Sequence, residues 1–264
     1  MPEFDTPGSV SLQVRLPSGR VRITTADQPR TSVELIAKGR RGSDALEDIL
    51  IRADEQPGGH VITIEQKDKF RWGPIQISWG GDFEVHITCP PGADLDLAGG
   101  STNLEVEGML GEVTAKSASG DISLQTVTKK LQLKTASGDV SVGTIEAEGA
   151  VVTVSGDLEI QRVLAPLNAR TVSGDVQIGA LEAGDLQTQT VSGDVRIGVA
   201  RGARVWIDAV SVSGDLDSEL GLADQAPEAD SGEQEPGRAV VPLHVKTVSG
   251  DVNIVRAAAA LSRS

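Results

Sequence analysis

The sequence is poor in aromatic residues and in cysteine, and both shortages limit what it can build. Tyrosine is absent, and only three Phe and three Trp occur among 264 residues. A buried core must therefore come from Val, Ile, Leu and Ala, small side chains that stack in thin layers. The single cysteine, Cys89, excludes an internal disulfide framework and suits a reducing compartment.

Long apolar runs and positive charge are also scarce. No stretch of about 18 consecutive apolar residues occurs, and the N-terminus has neither a basic nor an apolar leader segment. We therefore expect no membrane span and a cytoplasmic location, or the cell surface or envelope if an export signal or anchor has been removed. With 24 Lys and Arg against 38 Asp and Glu, the formal net charge is −14, so nucleic acid is not an expected partner.

A repeated tripeptide, Ser-Gly-Asp, organises the chain. A degenerate repeat, Ser101-Thr102-Asn103, precedes seven intact ones, and successive spacings are 18, 18, 18, 18, 19, 21 and 36. Glycine supplies a positive φ, and Asp and Ser can bond nearby amides where the chain reverses, so the tripeptide predicts a tight turn. The predicted structural turn residues are Gly120 and Asp121, Gly138 and Asp139, Gly156 and Asp157, Gly174 and Asp175, Gly193 and Asp194, Gly214 and Asp215, and Gly250 and Asp251.

Apolar residues recur at fixed distances from each repeated serine. Positions three and five residues later alternate, as in Ile122 and Leu124, and a second alternating pair falls at twelve and fourteen, as in Leu131 and Leu133. Alternation of period two is typical of a strand with one buried face. The position eight residues later is again apolar, in Met109, Val127, Ile145, Val163 and Leu181.

The pattern predicts an all-β fold, a single-stranded β-solenoid (β-helix) with about 18 residues per coil. Eight coils at about 4.8 Å would form a rod of roughly 40 Å. We expect a β-rich N-terminal cap region over 1–95 with one short helix at 43–50, solenoid repeats over 96–256, and a C-terminal tail over 257–264. Within the cap, residues 17–23 resemble a worn repeat, and an acidic, proline-bearing stretch at 221–241 predicts a mobile insertion.

Two columns of side chains are predicted beside the turns, and the first of them lies outside the core. Three residues before the serines lie four basic residues that form a possible interaction stripe: Lys116, Lys134, Arg170 and Lys246. Two residues before the serines lie hydroxyl side chains, which we expect to hydrogen-bond along the rod: Ser117, Thr135, Thr153, Thr171, Thr190, Ser211 and Thr247.

Candidates for chemistry are few. The stacked Asp column would place carboxylates about 4.8 Å apart. A calcium ion could relieve their repulsion, or each Asp could cap its own turn and remain solvated; the second is our interpretation, with no metal and no cofactor. Cys89 is expected in the core, and His60, His86 and His244 lack zinc-type spacing. The same tripeptide in seven places indicates architecture, so we predict no catalytic residue.

The sequence around 171–178 and its repeats, together with Cys89-Pro90-Pro91-Gly92-Ala93, resembles the bacterial putative-adhesin family of β-strand-repeat proteins. This family is a domain of unknown function related to the toast-rack domains. The resemblance covers residues 10–256 and implies a β-solenoid with a scaffolding, adhesive or sensing role, without catalytic residues to carry over.

These observations favour a non-enzymatic, adhesin-like scaffold that presents a repetitive surface to a protein partner or to itself. A small-molecule ligand is not expected. The alternatives are a surface adhesin or glycan-binding rod, and a polysaccharide-processing β-helix enzyme, which would need paired acids and usually aromatic platforms. We also expect the last coil, after Ser249, to have uncovered strand edges and to self-associate.

Overall fold

Strands make up every regular element of the part of the chain that the structure, a computed structural model, describes: residues 2–37, 48–66, 83–220 and 240–257. They are β1 (Glu3–Asp5), β2 (Val10–Thr25), β3 (Arg30–Ala37), β4 (Ile49–Gln56), β5 (Gly59–Gln66), β6 (Phe83–Cys89), β7 (Ala93–Ser119), β8 (Ile122–Ser137), β9 (Val140–Ile145), β10 (Gly149–Ser155), β11 (Leu158–Val163), β12 (Leu167–Arg170), β13 (Val176–Leu181), β14 (Leu186–Gln189), β15 (Val195–Val199), β16 (Arg204–Ser213), β17 (Leu216–Ser218), β18 (Val240–Ser249) and β19 (Val252–Arg256). The expected all-β class is therefore confirmed.

Equivalent positions of successive repeats pair with each other in parallel. Ile122 pairs with Leu104 on one side and with Val140 on the other, and Leu158 pairs with Val140 and Val176. Contacts between neighbouring repeats join residues 18 positions apart. The period of the sequence is thus the period of the hydrogen bonding, because a shift by one residue would turn every apolar side chain outward.

The strands form two rows that run the length of an elongated molecule. Strands that follow a Ser-Gly-Asp turn stack as β7, β8, β9, β11, β13 and β15. Strands that precede the next turn stack as β8, β10, β12 and β14. We call these the first row and the second row, and one strand from each row makes a layer. The long strands β2, β7 and β8 contribute to both rows.

The order of layers in space departs from the order in sequence at the C-terminal end. Strand β18 pairs with β14 on one side and with β16 on the other, and β19 lies likewise between β15 and β17. The layer after Ser249 is therefore interior, and our expectation that it has uncovered edges is wrong. The end layer is β16 and β17, because the longer connection before β18 lets the final strands return between two layers.

The core is one continuous stack of aliphatic side chains. Residues three and five positions after every turn serine except Ser213 are buried, as with Val176 at 1% exposure and Val142 at 0%. Met109 breaks the predicted pattern, since it is 41% exposed while Leu110 is fully buried. The register shifts between Val106 and Met109, so that Leu110 pairs with Val127 and takes the core position.

The N-terminal region continues the same stack. Ser18 pairs with Ser101 and Val21 pairs with Leu104, so the worn repeat at 17–23 is confirmed. Strands β5 and β6 extend the two rows in parallel, and β4, β3 and β1 then add antiparallel strands. Strand β7 runs through residue 95 without a break, so cap and repeats are joined by one strand.

Several expected segments fall largely outside the described residues. Of the helix expected at 43–50, only the last three residues are described: Asp48 lies in a turn, and Ile49 and Leu50 begin β4 instead. Of the insertion at 221–241, only the first two residues of β18 are described. Of the tail, Ala257 alone is described; it is buried, and its N–H donates to Val199 O at 2.9 Å. No helix within the described ranges is long and apolar enough to cross a membrane.

Candidate interaction face

The Ser-Gly-Asp turns stack directly on one another, and glycine is required there by conformation and by space. Gly156 has a φ of +124°, in the region that favours glycine. A Cβ on Gly156 would lie 2.3 Å from Gly138 O of the preceding layer. The turn is therefore a contact between backbones, which explains why glycine is the central residue of the seven Ser-Gly-Asp turns.

The aspartates of the turns are bonded from layer to layer. The N–H of Asp157 donates to Asp139 Oδ1 at 2.9 Å, and the N–H of Asp175 donates to Asp157 Oδ1 at 2.9 Å. The same bond recurs from Asn103 through the interior layers to Asp251 and Asp215. Each carboxylate thus caps the next layer's turn, rather than its own as the capping interpretation assumed.

The hydroxyl column is buried except at Ser211, and two of its members hydrogen-bond along the rod as expected: Ser117 Oγ donates to Gly100 O at 3.3 Å, and Ser211 Oγ donates to Gly250 O at 3.2 Å. The Oγ1 of Thr135 donates to Ser137 O at 3.0 Å, within its own turn, and Thr153 bonds Ser155 O in the same way. The hydroxyls of Thr171, Thr190 and Thr247 are buried without a hydrogen-bond partner. The expected hydroxyl-to-hydroxyl bonding occurs in the serine column instead, between Ser101 Oγ and Ser119 Oγ at 3.1 Å.

The basic residues lie on the outer face of the second row. Lys116 pairs with Lys134 in the neighbouring layer, and Val152 then separates Lys134 from Arg170. Gln189 separates Arg170 from Lys246. The structure therefore places the four residues in one column, with two adjacent lysines at one end and an apolar or neutral side chain between the others.

An exposed column of valines, which the sequence analysis did not single out, runs beside this stripe. Val154, Val172, Val191 and Val248 occupy successive layers, each immediately before a turn serine, and each is 48% or 49% exposed. We define the valine face as these residues with their exposed neighbours on the second row: Val152, Val154, Val172, Val191, Val210, Val212 and Val248. Position parity could have revealed it, since buried Thr153 and Thr171 must place the following residues outward.

A continuous exposed apolar surface of this kind is typical of an interaction site in a soluble protein. The valine face crosses five layers, because the turn serines of those layers pair from Ser155 through Ser173, Ser192 and Ser249 to Ser213. The basic stripe supplies polar contacts along the same face. The β-branched side chain of valine also has few rotamers, so little entropy is lost when a partner covers it.

Titratable side chains outside this face have structural roles. Burial raises the pKa of the Cys89 thiol to about 12, so this side chain stays protonated and inert, as core packing predicts. Glu182 accepts a bond from Arg162 Nε at 2.8 Å, which raises the pKa of Arg162. Within the described ranges, no three His, Cys, Asp or Glu side chains group so as to hold a metal ion.

A pair of rings joins the end layer to the layer beside it. The ring of Trp206 meets the ring of His244 edge-on at 5.3 Å between centroids. His244 Nδ1 lies 3.4 Å from Asp208 Oδ2, across the pairing of β16 with β18. These outward side chains tie the end layer to its neighbour.

Solved structures share this fold over nearly the whole chain. A putative adhesin from Bacteroides fragilis is 12% identical and has a TM-score of 0.52, with 96% of this chain and 95% of that chain covered. A putative adhesin from Parabacteroides distasonis is 14% identical, with a TM-score of 0.53 over 96% and 95%. A protein named a putative lipid binding protein, also from Parabacteroides distasonis, is 11% identical, with a TM-score of 0.53 over 97% and 96%.

At these identities the likeness is one of fold. No curated protein is significantly similar to the chain. The family model described as Toastrack DUF4097 matches residues 10–255, which include every Ser-Gly-Asp turn and the strand β2 that precedes them. The chain therefore belongs to the Toastrack family.

Proposed function

We propose that this protein is a non-enzymatic, adhesin-like scaffold, a β-solenoid of about 18 residues per coil that binds a protein partner through the valine face. The observation that carries the proposal is the run of half-exposed valines across five stacked layers. The names of the similar solved structures, putative adhesins among them, agree with an interaction role.

The chemistry of the partner follows from the face. Valines would be covered by apolar side chains. Arg170 and Lys246 lie in the same layers as the valines, and Lys134 and Lys116 lie in the two layers before them, so the stripe favours carboxylates on the partner. The molecule as a whole carries a net charge of −14, so an acidic partner would be attracted only along this stripe. The proposed partner is therefore a protein with an apolar surface edged by acidic residues.

Site-specific photo-crosslinking in the native host tests the proposal. A photoreactive phenylalanine analogue replaces Val172 on the valine face, and in a matched control it replaces Gln177, which is exposed on the first row. We expect one discrete heavier product from position 172 and none from position 177. Equal products from both positions, or none from either, would contradict the proposal.

A second variant separates binding from folding. Val191→Asp places a charge on the same face, where the side chain is 49% exposed and not part of the core. We expect this substitution to abolish the product formed from position 172 while the melting temperature stays unchanged. An undiminished product would show that the partner does not lie on the valine face.

A further inference from the structure

We infer that the open end of the molecule, strand β16, pairs antiparallel with β16 of a second copy of this chain, so that two rods join head to head. The inference concerns the free edge of β16, whereas Val210 and Val212 on the outward face of that strand belong to the valine face, and it does not depend on the partner of the valine face. It starts from the end layer, β16 and β17. This layer is at the end only because β18 and β19 do not follow the sequence order.

Among the described residues, nothing covers the core side chains of the end layer. Leu216 is 51% exposed, whereas Val252, its partner one layer inward, is 1% exposed. Ile207 is only partly buried, whereas its partner Leu243 is fully buried. A stacked-layer protein needs such an end covered, because each layer hides the apolar side of the next.

Hydrogen-bonding groups are also unmet there. In the preceding layer the N–H of Gly250 donates to Ser213 O and the carboxylate of Asp251 accepts from Asp215 N. Among the described residues, neither the N–H of Gly214 nor the carboxylate of Asp215 has such a partner. Strand β16 likewise has a strand neighbour on one side only within the described ranges. An unpaired edge of this length is a template for another strand.

The sequence of β16 is complementary to itself. Arg204, Trp206 and Asp208 share its outward face, and Val205, Ile207 and Ala209 share the core face. In an antiparallel pair centred on Trp206, Arg204 of each copy lies opposite Asp208 of the other. Trp206 then meets Trp206, and Val205 meets Ile207. Opposite charges and aromatic pairs in these positions stabilise paired strands.

Neighbouring registers lack this complementarity. Centring the pair on Asp208 places two carboxylates directly opposite each other, which is destabilising. Centring it on Ile207 leaves Arg204 opposite Val210. A shift of one copy by a single residue would turn its core side chains outward. The register centred on Trp206 is the one that both charge and burial favour.

Other charges oppose association and set the conditions for observing it. Asp215 and Asp217 lie on the same end layer, and each copy carries a net charge of −14. These charges repel across the interface until they are screened. At an ionic strength of about 0.15 M the Debye length is about 8 Å, so salt weakens this repulsion.

Disulfide trapping tests the register directly. Residues opposite each other in antiparallel strands have Cα atoms about 4.5–5.5 Å apart, within the range of a disulfide. Cys89 is buried and does not interfere. Under mild oxidation we expect Trp206→Cys to form a covalent dimer. Val210→Cys, on the same face of β16, is the control, because it would lie roughly 27 Å from its own copy.

Charge reversal tests the same interface without a covalent bond. We expect the wild-type chain to show a concentration-dependent dimer in sedimentation equilibrium at about 0.15 M salt. Arg204→Asp and Asp208→Arg alone should each weaken dimerisation about tenfold, since two pairs become repulsive. The double variant should restore it.

The outcomes separate this inference from the proposed function. A wild-type chain that stays monomeric at every concentration, or equal yields of covalent dimer from the Trp206→Cys and Val210→Cys variants, would overturn it. A double reversal that fails to recover dimerisation would overturn the register. Val191→Asp, which tests the valine face, should leave dimerisation unchanged.

Discussion

The aspartates of the turns accept a hydrogen bond from the layer that follows. Asn103 is the natural exception, and it shows what this position requires. Asn103 Oδ1 accepts the N–H of Asp121 at 3.0 Å, just as the carboxylates do further along. The position therefore needs an oxygen acceptor and not a charge. Seven like charges in one column repel one another, so the amide would serve equally well at most layers.

A pair of substitutions at Asp157 tests this requirement. Asp157→Ala removes the acceptor of Asp175 N–H and should lower the free energy of unfolding by about 1 kcal/mol. Asp157→Asn keeps the acceptor and relieves repulsion, so it should be neutral or slightly stabilising. Urea unfolding measures both values.

Asp215 provides the matched control, because its carboxylate accepts no such bond among the described residues. Asp215→Ala should therefore change the free energy of unfolding much less than Asp157→Ala does. Equal losses at the two positions would show that the carboxylate acts within its own turn.

At the scale of elements, the position of β18 and β19 decides which residues are core. Leu243 on β18 is fully buried, and Leu216 on β17 is 51% exposed, although the sequence order alone would place β17 in the interior. The two leucines allow one substitution to be compared in two environments.

Leucine-to-alanine substitutions at these positions test the layer order. Leu243→Ala should cost about 2–5 kcal/mol of unfolding free energy, because it leaves a cavity between layers. Leu216→Ala should cost less than about 1 kcal/mol in dilute solution. Thermal or urea unfolding at low protein concentration measures both, and a larger loss at Leu216 would contradict the order in the structure.

The sequence predicted elements well wherever the eighteen-residue period is regular. Offsets from each serine identified the buried positions of β8 to β15, because period-two alternation and stacking leave one solution. Met109 was wrongly predicted to be a core residue, because a register shift changes the number of residues between core positions without changing the amino-acid composition. The return of β18 was missed because residues 243–254 fit any neighbouring layer equally well. The valine face was not predicted, although position parity places the residue after each buried Thr outward.

On the scale of the whole molecule, head-to-head pairing predicts a change of length rather than of width. The first row is the longer one and contains twelve strands from β1 to β17. At a spacing of about 4.8 Å between strands, this row spans roughly 50 Å. Small-angle X-ray scattering of the disulfide-linked Trp206→Cys dimer should show a maximum dimension near twice that of the monomer. A dimer of unchanged length and doubled cross-section would indicate side-by-side contact instead.

The location of β18 between β14 and β16 also constrains how the protein is made. Layers from β7 to β15 can add one by one as the chain emerges during synthesis, each on a finished neighbour. Strand β16 cannot take its final neighbour until residues 240–249 exist, so it must wait unpaired or dock provisionally on β14 and then be displaced. The last step of maturation is therefore an insertion rather than an addition, and a chaperone or an early-docking mutant would exert its effect at that moment.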